Sequence, residues 1–192
     1  MKFSGFLTNV LVAAGLTVMT AICASAQPRA IGIRIGGKGL EASYQHSIGK
    51  DFIAADLGLD FGYGGPGFIA EASYNFVFAK PAWTDRGSWG IYAGPGLALG
   101  YASDRMTYFK HWKDDKEIMH KIKTHPAGKG FMMAFTGQIG LEYTFWFPLQ
   151  LSVDIRPYFG FHTGKFNGYR KTGFYNYGMM GFIPSLSVRY RF

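Results

Sequence analysis

Cysteine is nearly missing from this chain: Cys23 is the only one among 192 residues. It falls in an N-terminal segment that reads as removable, so the exported protein is expected to hold neither a disulfide nor a reactive thiol. Long apolar runs are missing too. Beyond residue 26 no uninterrupted stretch reaches the ~20 residues of a membrane-crossing helix. Histidines number five, and none stands three or four positions from another, which leaves no zinc-type spacing. Gly32-Ile33-Arg34-Ile35-Gly36-Gly37-Lys38 has most of a phosphate-loop pattern, but Gly39 occupies the position that needs Ser or Thr. The sequence therefore assigns no catalytic, cofactor-binding or metal-binding residue, and no cofactor is expected. Acids are also few, 12 against 20 Lys and Arg, giving a net charge of +8.

The N-terminus sets the compartment. Met1-Lys2 is a short positive region, Phe6 to Ile22 is apolar apart from Gly15 and small polar residues, and Ala24-Ser25-Ala26 is a small-residue cleavage site. These are the parts of a secretory signal peptide. Residues 1–26 are expected to be removed, leaving 27–192 as one domain. In an exported chain the basic balance points to anionic surfaces rather than to nucleic acid.

Aromatic residues are abundant: 18 Phe, 12 Tyr and 4 Trp, beside 27 Gly. A soluble domain of this length needs far less aromatic surface, whereas a bilayer-spanning barrel uses it in its apolar band and girdles. Eight segments alternate apolar and polar residues and are separated by turn residues. They are Arg29–Gly36, Leu40–Ser47, Phe52–Gly62, Phe68–Phe78, Ser88–Ala102, Phe131–Phe145, Leu149–His162 and Phe182–Phe192. A period of two puts one set of residues on each face of a strand. Ile31, Ile33, Leu57, Leu59, Phe76 and Phe135 belong to one face. The other face carries Arg34, Glu41, Asp56, Asp60, Glu71, Glu142, Asp154, Arg156, Arg189 and Arg191, with amides Gln45, Asn75, Gln138 and Gln150 among them. Such charges are costly to bury unless paired. Eight strands leave an interior just wide enough for side chains, so the predicted fold is an all-β, eight-stranded, antiparallel up-and-down transmembrane barrel with a filled, ion-paired lumen. Gly90, Gly94, Gly96 and Gly100 on the inner face of the fifth segment are expected to make room for long side chains opposite. The rival reading is a secreted soluble carrier barrel, which requires the inverse: apolar residues inside and charges outside.

The connections differ in length. Ile48-Gly49-Lys50, Ala79–Gly87 and Trp146-Phe147-Pro148 are short, while Ser103–Gly130 and Thr163–Gly178 are long. Short turns at one end and long loops at the other are the outer-membrane arrangement, to which Gly37-Lys38 and Tyr63–Gly67, short connections at the long-loop end, are exceptions. The long loops mix cations with aromatics, so Lys110, Lys113, Lys121, Lys123, Lys165, Arg170 and Lys171 are candidate contacts to lipopolysaccharide. Lys113–Lys123, with Ile118 and Ile122 four apart, is expected to form a helical turn or two. Pro157 and Pro184 fall within the last two segments at similar height. Proline cannot donate to a ladder, so they mark either a bulge or a lateral opening between these strands.

The signal peptide, the eight alternating segments, the charged inner face and the aromatic Phe192 together resemble the small OmpA/OmpX-type outer-membrane barrels of Gram-negative bacteria. That resemblance implies a cell-outer-membrane location, a monomer, and outer-membrane lipid and lipopolysaccharide as surroundings. It also implies that Leu186, Val188, Tyr190 and Phe192 form the terminal signal read by the barrel-assembly machinery. The expected role is non-enzymatic: structural, adhesive or surface-interacting. The alternatives are a lipid A-modifying enzyme and a small narrow pore.

Overall fold

The computed structural model describes residues 29–36, 39–61, 66–114, 117–166 and 169–192. The segment 1–26 lies outside them. The strands are β1 (Arg29–Gly36), β2 (Gly39–Ile48), β3 (Asp51–Asp60), β4 (Gly67–Ala79), β5 (Ser88–Asp114), β6 (Glu117–Thr144), β7 (Leu149–Ile155), β8 (Tyr158–Phe166), β9 (Tyr169–Phe174) and β10 (Ser185–Arg191). A short 3-10 helix, η1 (Asn176–Phe182), links β9 to β10. Each strand pairs antiparallel with its neighbours, and pairing of β1 with β10 closes the sheet. The result is a closed eight-stranded antiparallel barrel. The ten strands make eight staves because β7 and β8 are one stave, and β9, η1 and β10 are another.

The stave of β7 and β8 is interrupted at Arg156 and Pro157 without losing its register on β6. Ile155 stands opposite Ile139 and Tyr158 opposite Thr136, with Gly137 N–H donating to the Pro157 carbonyl. The interruption tells on its other edge. Between the pairs Ser185↔Asp154 and Phe174↔Phe161, the last stave has ten residues where its neighbour has six. The surplus of four is taken up by η1. Gly178 and Gly181 let the helix lie directly on the carbonyls of Tyr158 and Arg156, where a Cβ would collide with backbone. Arg156 N–H donates to Gly181 O at 2.7 Å and Tyr175 N–H to Gly160 O at 2.9 Å. Pro157 and Pro184 thus flank an irregular seam, and η1 covers it.

The wall is uneven in height. β1 to β4 end near Gly36, Gly39, Asp60 and Gly67, while β5 and β6 pair out to Asp114↔Glu117, with one shift of register between Ala102 and Asp104. The stretch 103–130 is therefore mostly hairpin rather than loop, and where a helical turn was expected over Lys113–Lys123, the described residues 113–114 and 117–123 are strand. Ile118 and Ile122 share a face at a period of two as readily as at a spacing of four, so the pattern did not separate the two states. The barrel has a terminal end, which holds Arg29 and Phe192, and a hairpin end, which holds the tall β5–β6 pair.

Burial is inverted relative to a globular protein. Leu57, Phe78, Phe135 and Phe192 are all at least 60% exposed on the outside, while Arg156, Asp104 and Asn75 are completely enclosed. Water is a poor solvent for such an exterior, and no soluble monomer exposes a continuous apolar band of this kind. The soluble-carrier reading is incompatible with this arrangement. Lipid is the solvent that matches it.

Candidate functional site

The lumen is where the polar chemistry is concentrated. In its hairpin half, Arg34 on β1 donates to Glu41 on β2 at 2.7 Å and to Asp154 on β7 at 2.8 Å. Arg156, between β7 and β8, reaches across to Asp56 on β3 and to Glu71 on β4, the latter at 3.0 Å. Tyr158 on β8 donates its hydroxyl to the same Glu71. Five staves are tied together through two guanidiniums. Arg donates in a planar fork that suits two carboxylates at once, and each buried carboxylate here needs that counter-charge.

The terminal half is built differently. Gln138 on β6 accepts from Ser73 at 2.8 Å and from Asn75 at 3.0 Å, both on β4. Glu142 is held by amides, Gln150 at 2.6 Å and Gln45 at 3.2 Å. Tyr92 lies across the lumen, edge-on to Phe52 at 4.9 Å, with its hydroxyl on Asp154 at 3.2 Å. Gly140 makes this possible, because a Cβ there would meet the Tyr92 ring at 2.6 Å. Gly90 does the same for Glu142 at 3.0 Å. Between the halves, Arg189 on β10 donates to Ser43 and Ser152, both at 2.9 Å. Near the termini a small cavity of about 40 Å³ is lined by Arg29, Gln45, Glu142, Gln150 and Arg191. It is large enough for a water molecule.

The hairpin end of the lumen closes over a third group. Asp104, wholly buried on β5, accepts from the backbone N–H groups of Asn176 and Tyr177 at 3.0 and 2.9 Å. It thereby caps η1 and pins the irregular stave to the far wall. His162 Nε2 lies 2.8 Å from the Ala102 carbonyl, with the imidazole stacked on Tyr175. Among the described residues, no group of three or more His, Cys, Asp or Glu side chains is placed to hold a metal ion.

The sequence-predicted residues distribute as follows. Arg34, Glu41, Asp56, Glu71, Asp154 and Arg156 meet in the one network, and Asp60 and Arg189 are buried beside it. Glu142 and Arg191 are at the terminal end of the lumen. Leu186, Val188, Tyr190 and Phe192 face outward along β10 and just beyond it. Lys110 and Lys113 stand on β5 and Lys121 and Lys123 on β6, well above the short wall. Lys165 pairs in register with Arg170, and Lys171 with Gly164. Sequence reasoning missed Tyr158, whose inward position follows from its parity with Asp154 and Arg156, because aromatics had been assigned to the outside. It also missed Asp104, read as the start of a loop.

No family model matches the chain, and no curated protein matches it. A solved structure with a similar course of the chain is the N-terminal β-barrel domain of Pseudomonas aeruginosa OprF, at 13% identity and a TM-score of 0.47, over 86% of this chain and 96% of that one. The closed barrel, its apolar exterior and its ion-paired interior give this protein the architecture of a small eight-stranded transmembrane β-barrel.

Proposed function

We propose that the protein is an integral protein of the cell outer membrane with a non-enzymatic role at the surface, its hairpin end outward and its terminal end in the periplasm. The observation that carries this reading is the inverted burial: an apolar belt around an ion-paired lumen supports a barrel embedded in lipid and favours a closed interior over a channel. The tall hairpin then stands in or above the lipopolysaccharide headgroups. Its register places Lys110 directly opposite Lys121, and β8 and β9 place Lys165 opposite Arg170. Opposed cations destabilise a strand pair on their own. A phosphate-bearing surface offsets that repulsion, and Lys113, Lys123 and Lys171 lie within the same strands. Leu186, Val188, Tyr190 and Phe192, outward on the closing stave, fit a signal for the assembly machinery.

The test is fractionation with a carbonate or urea wash, followed by electrophoresis of unheated and heated samples. Retention in the outer-membrane pellet with a heat-dependent shift in mobility supports the reading; recovery in the soluble periplasm overturns it. Mass spectrometry of lipid A with and without the protein separates this role from a lipid-modifying enzyme. The interrupted seam beside Pro157 and Pro184 is the feature that favours the enzyme, since a lipid chain reaching the lumen would enter there. Planar-bilayer recordings separate it from a pore, and the ion-paired lumen predicts no steady conductance.

A further inference from the structure

The terminal end carries a built feature that the surface role does not use. The connection between β4 and β5 and the turn between β6 and β7 lie side by side, with Trp89 opposite Tyr143 at their base. Their rings form a continuous chain. Trp83 meets Trp89 at 5.3 Å, Trp89 meets Tyr143 at 4.6 Å and Tyr143 meets Phe145 at 4.6 Å. Phe145 then meets Phe147 at 4.9 Å and Trp146 at 5.9 Å. Trp83 and Trp146 are 60% and 62% exposed. Three of the chain's 4 tryptophans are gathered here.

The connection is held rigidly from within. Thr84 Oγ1 and the Tyr143 hydroxyl both donate to the Arg86 carbonyl at 2.8 Å, and Trp89 Nε1 donates to Thr84 Oγ1 at 3.2 Å. Gly87, at φ 76°, sits where a Cβ would run into the Tyr143 phenol. The backbone of Arg86 is thereby fixed, and its guanidinium stands 5.9 Å from the centre of the Trp146 ring. Arg86 is exposed, as is neighbouring Asp85, and among the described residues no carboxylate forms an ion pair with it. An exposed guanidinium, with no carboxylate partner among the described residues and set over an aromatic ledge at the edge of an apolar belt, suits an anionic lipid headgroup. Such rings suit the upper acyl chains, and a guanidinium suits a phosphodiester, donating to its oxygens through the planar fork.

We propose that Arg86 and the Trp83–Trp89–Trp146 ledge bind the phosphodiester headgroup of an anionic phospholipid in the leaflet they face. This rests on the membrane reading above, and the experiment keeps the two apart. The protein carrying Trp112→Phe, so that emission comes only from the ledge, is inserted into phosphatidylcholine vesicles. A fixed fraction of lipid bears brominated chains on either phosphatidylglycerol or phosphatidylcholine. One well-placed cation enriches anionic lipid roughly fivefold, so brominated phosphatidylglycerol is expected to quench several-fold more strongly. Adding Arg86→Gln is expected to erase the difference while the heat-dependent mobility of the folded barrel is kept. Equal quenching by both lipids, or a preference that survives Arg86→Gln, overturns the proposal alone. Failure to insert into any vesicle overturns it together with the membrane reading.

Discussion

In the hairpin half of the lumen, Arg34 and Arg156 are held by four carboxylates drawn from four staves. In the terminal half, Ser73, Asn75, Gln138, Gln45 and Gln150 fill the same cross-section with neutral amides and hydroxyls, and only Glu142 among them is an acid. The wall around the two halves differs in parallel. The ladders of β10 on β7 and on β1 run unbroken through the terminal half. Around the hairpin half the last stave departs into η1 and the walls of β1 to β4 come to an end. Arg156 stands at the interruption itself and ties it to Asp56 and Glu71, which sit in unbroken ladders, while the β4–β5 ladder of the terminal half has an irregularity of its own between Val77 and Ala79. A charge-assisted hydrogen bond is about twice as strong as a neutral one, and its strength is felt most where no water competes.

The comparison is broken most severely at Arg156. Arg156→Met leaves Asp56 and Glu71 facing each other without a cation, and removal of one member of a buried pair costs about 3–5 kcal/mol. The expected outcome is a large fall in the urea midpoint of the vesicle-inserted protein, or failure to fold into the vesicle, read by the heat-dependent mobility shift. Tyr158→Phe, which takes away only a hydroxyl from Glu71, is expected to cost about 1–3 kcal/mol in the same titration. In the terminal half, Gln138→Met deprives Ser73 and Asn75 of an acceptor while nearly keeping the volume. The expected loss is about 1–3 kcal/mol, smaller than at Arg156. A larger loss at Gln138 than at Arg156 would reverse the account of the two halves. The smallest effect belongs to the tall hairpin. Lys110→Gln with Lys121→Gln is expected to change stability by no more than about 0.5 kcal/mol, while binding to immobilised lipopolysaccharide weakens and loses part of its salt dependence.

Much of this was legible in the sequence because a strand repeats every two residues. Once Ile31, Leu57 and Phe135 are set outside, Arg34, Asp56 and Gln138 have to be inside, and no knowledge of partners is needed. Which acid meets which guanidinium was not legible, because Arg156 and Asp56 come together only through closure of the sheet. The tall hairpin was missed for a local reason: Lys110 to Lys123 is rich in charge and histidine, and its apolar residues fit more than one period. The helix η1 was missed for a distant one. Tyr175-Asn176-Tyr177-Gly178 reads as a turn, and only the carbonyls of Tyr158 and Arg156 on the neighbouring stave show why Gly178 and Gly181 are needed. Pro157 and Pro184 did mark the irregular seam, since a missing N–H is a property of the residue itself.

The central claim is that one face of every stave meets lipid and the other meets paired side chains. The chain beyond residue 26 has no cysteine, so single cysteines carrying a nitroxide label report one position at a time. Leu57, outward and 60% exposed, and Ala54, inward on the same strand and fully buried, are the decisive pair. In vesicles, the label on Leu57→Cys is predicted to relax strongly with dissolved oxygen and hardly at all with an aqueous nickel complex, while the label on Ala54→Cys is shielded from both. Access of the nickel complex to position 57 would contradict the account.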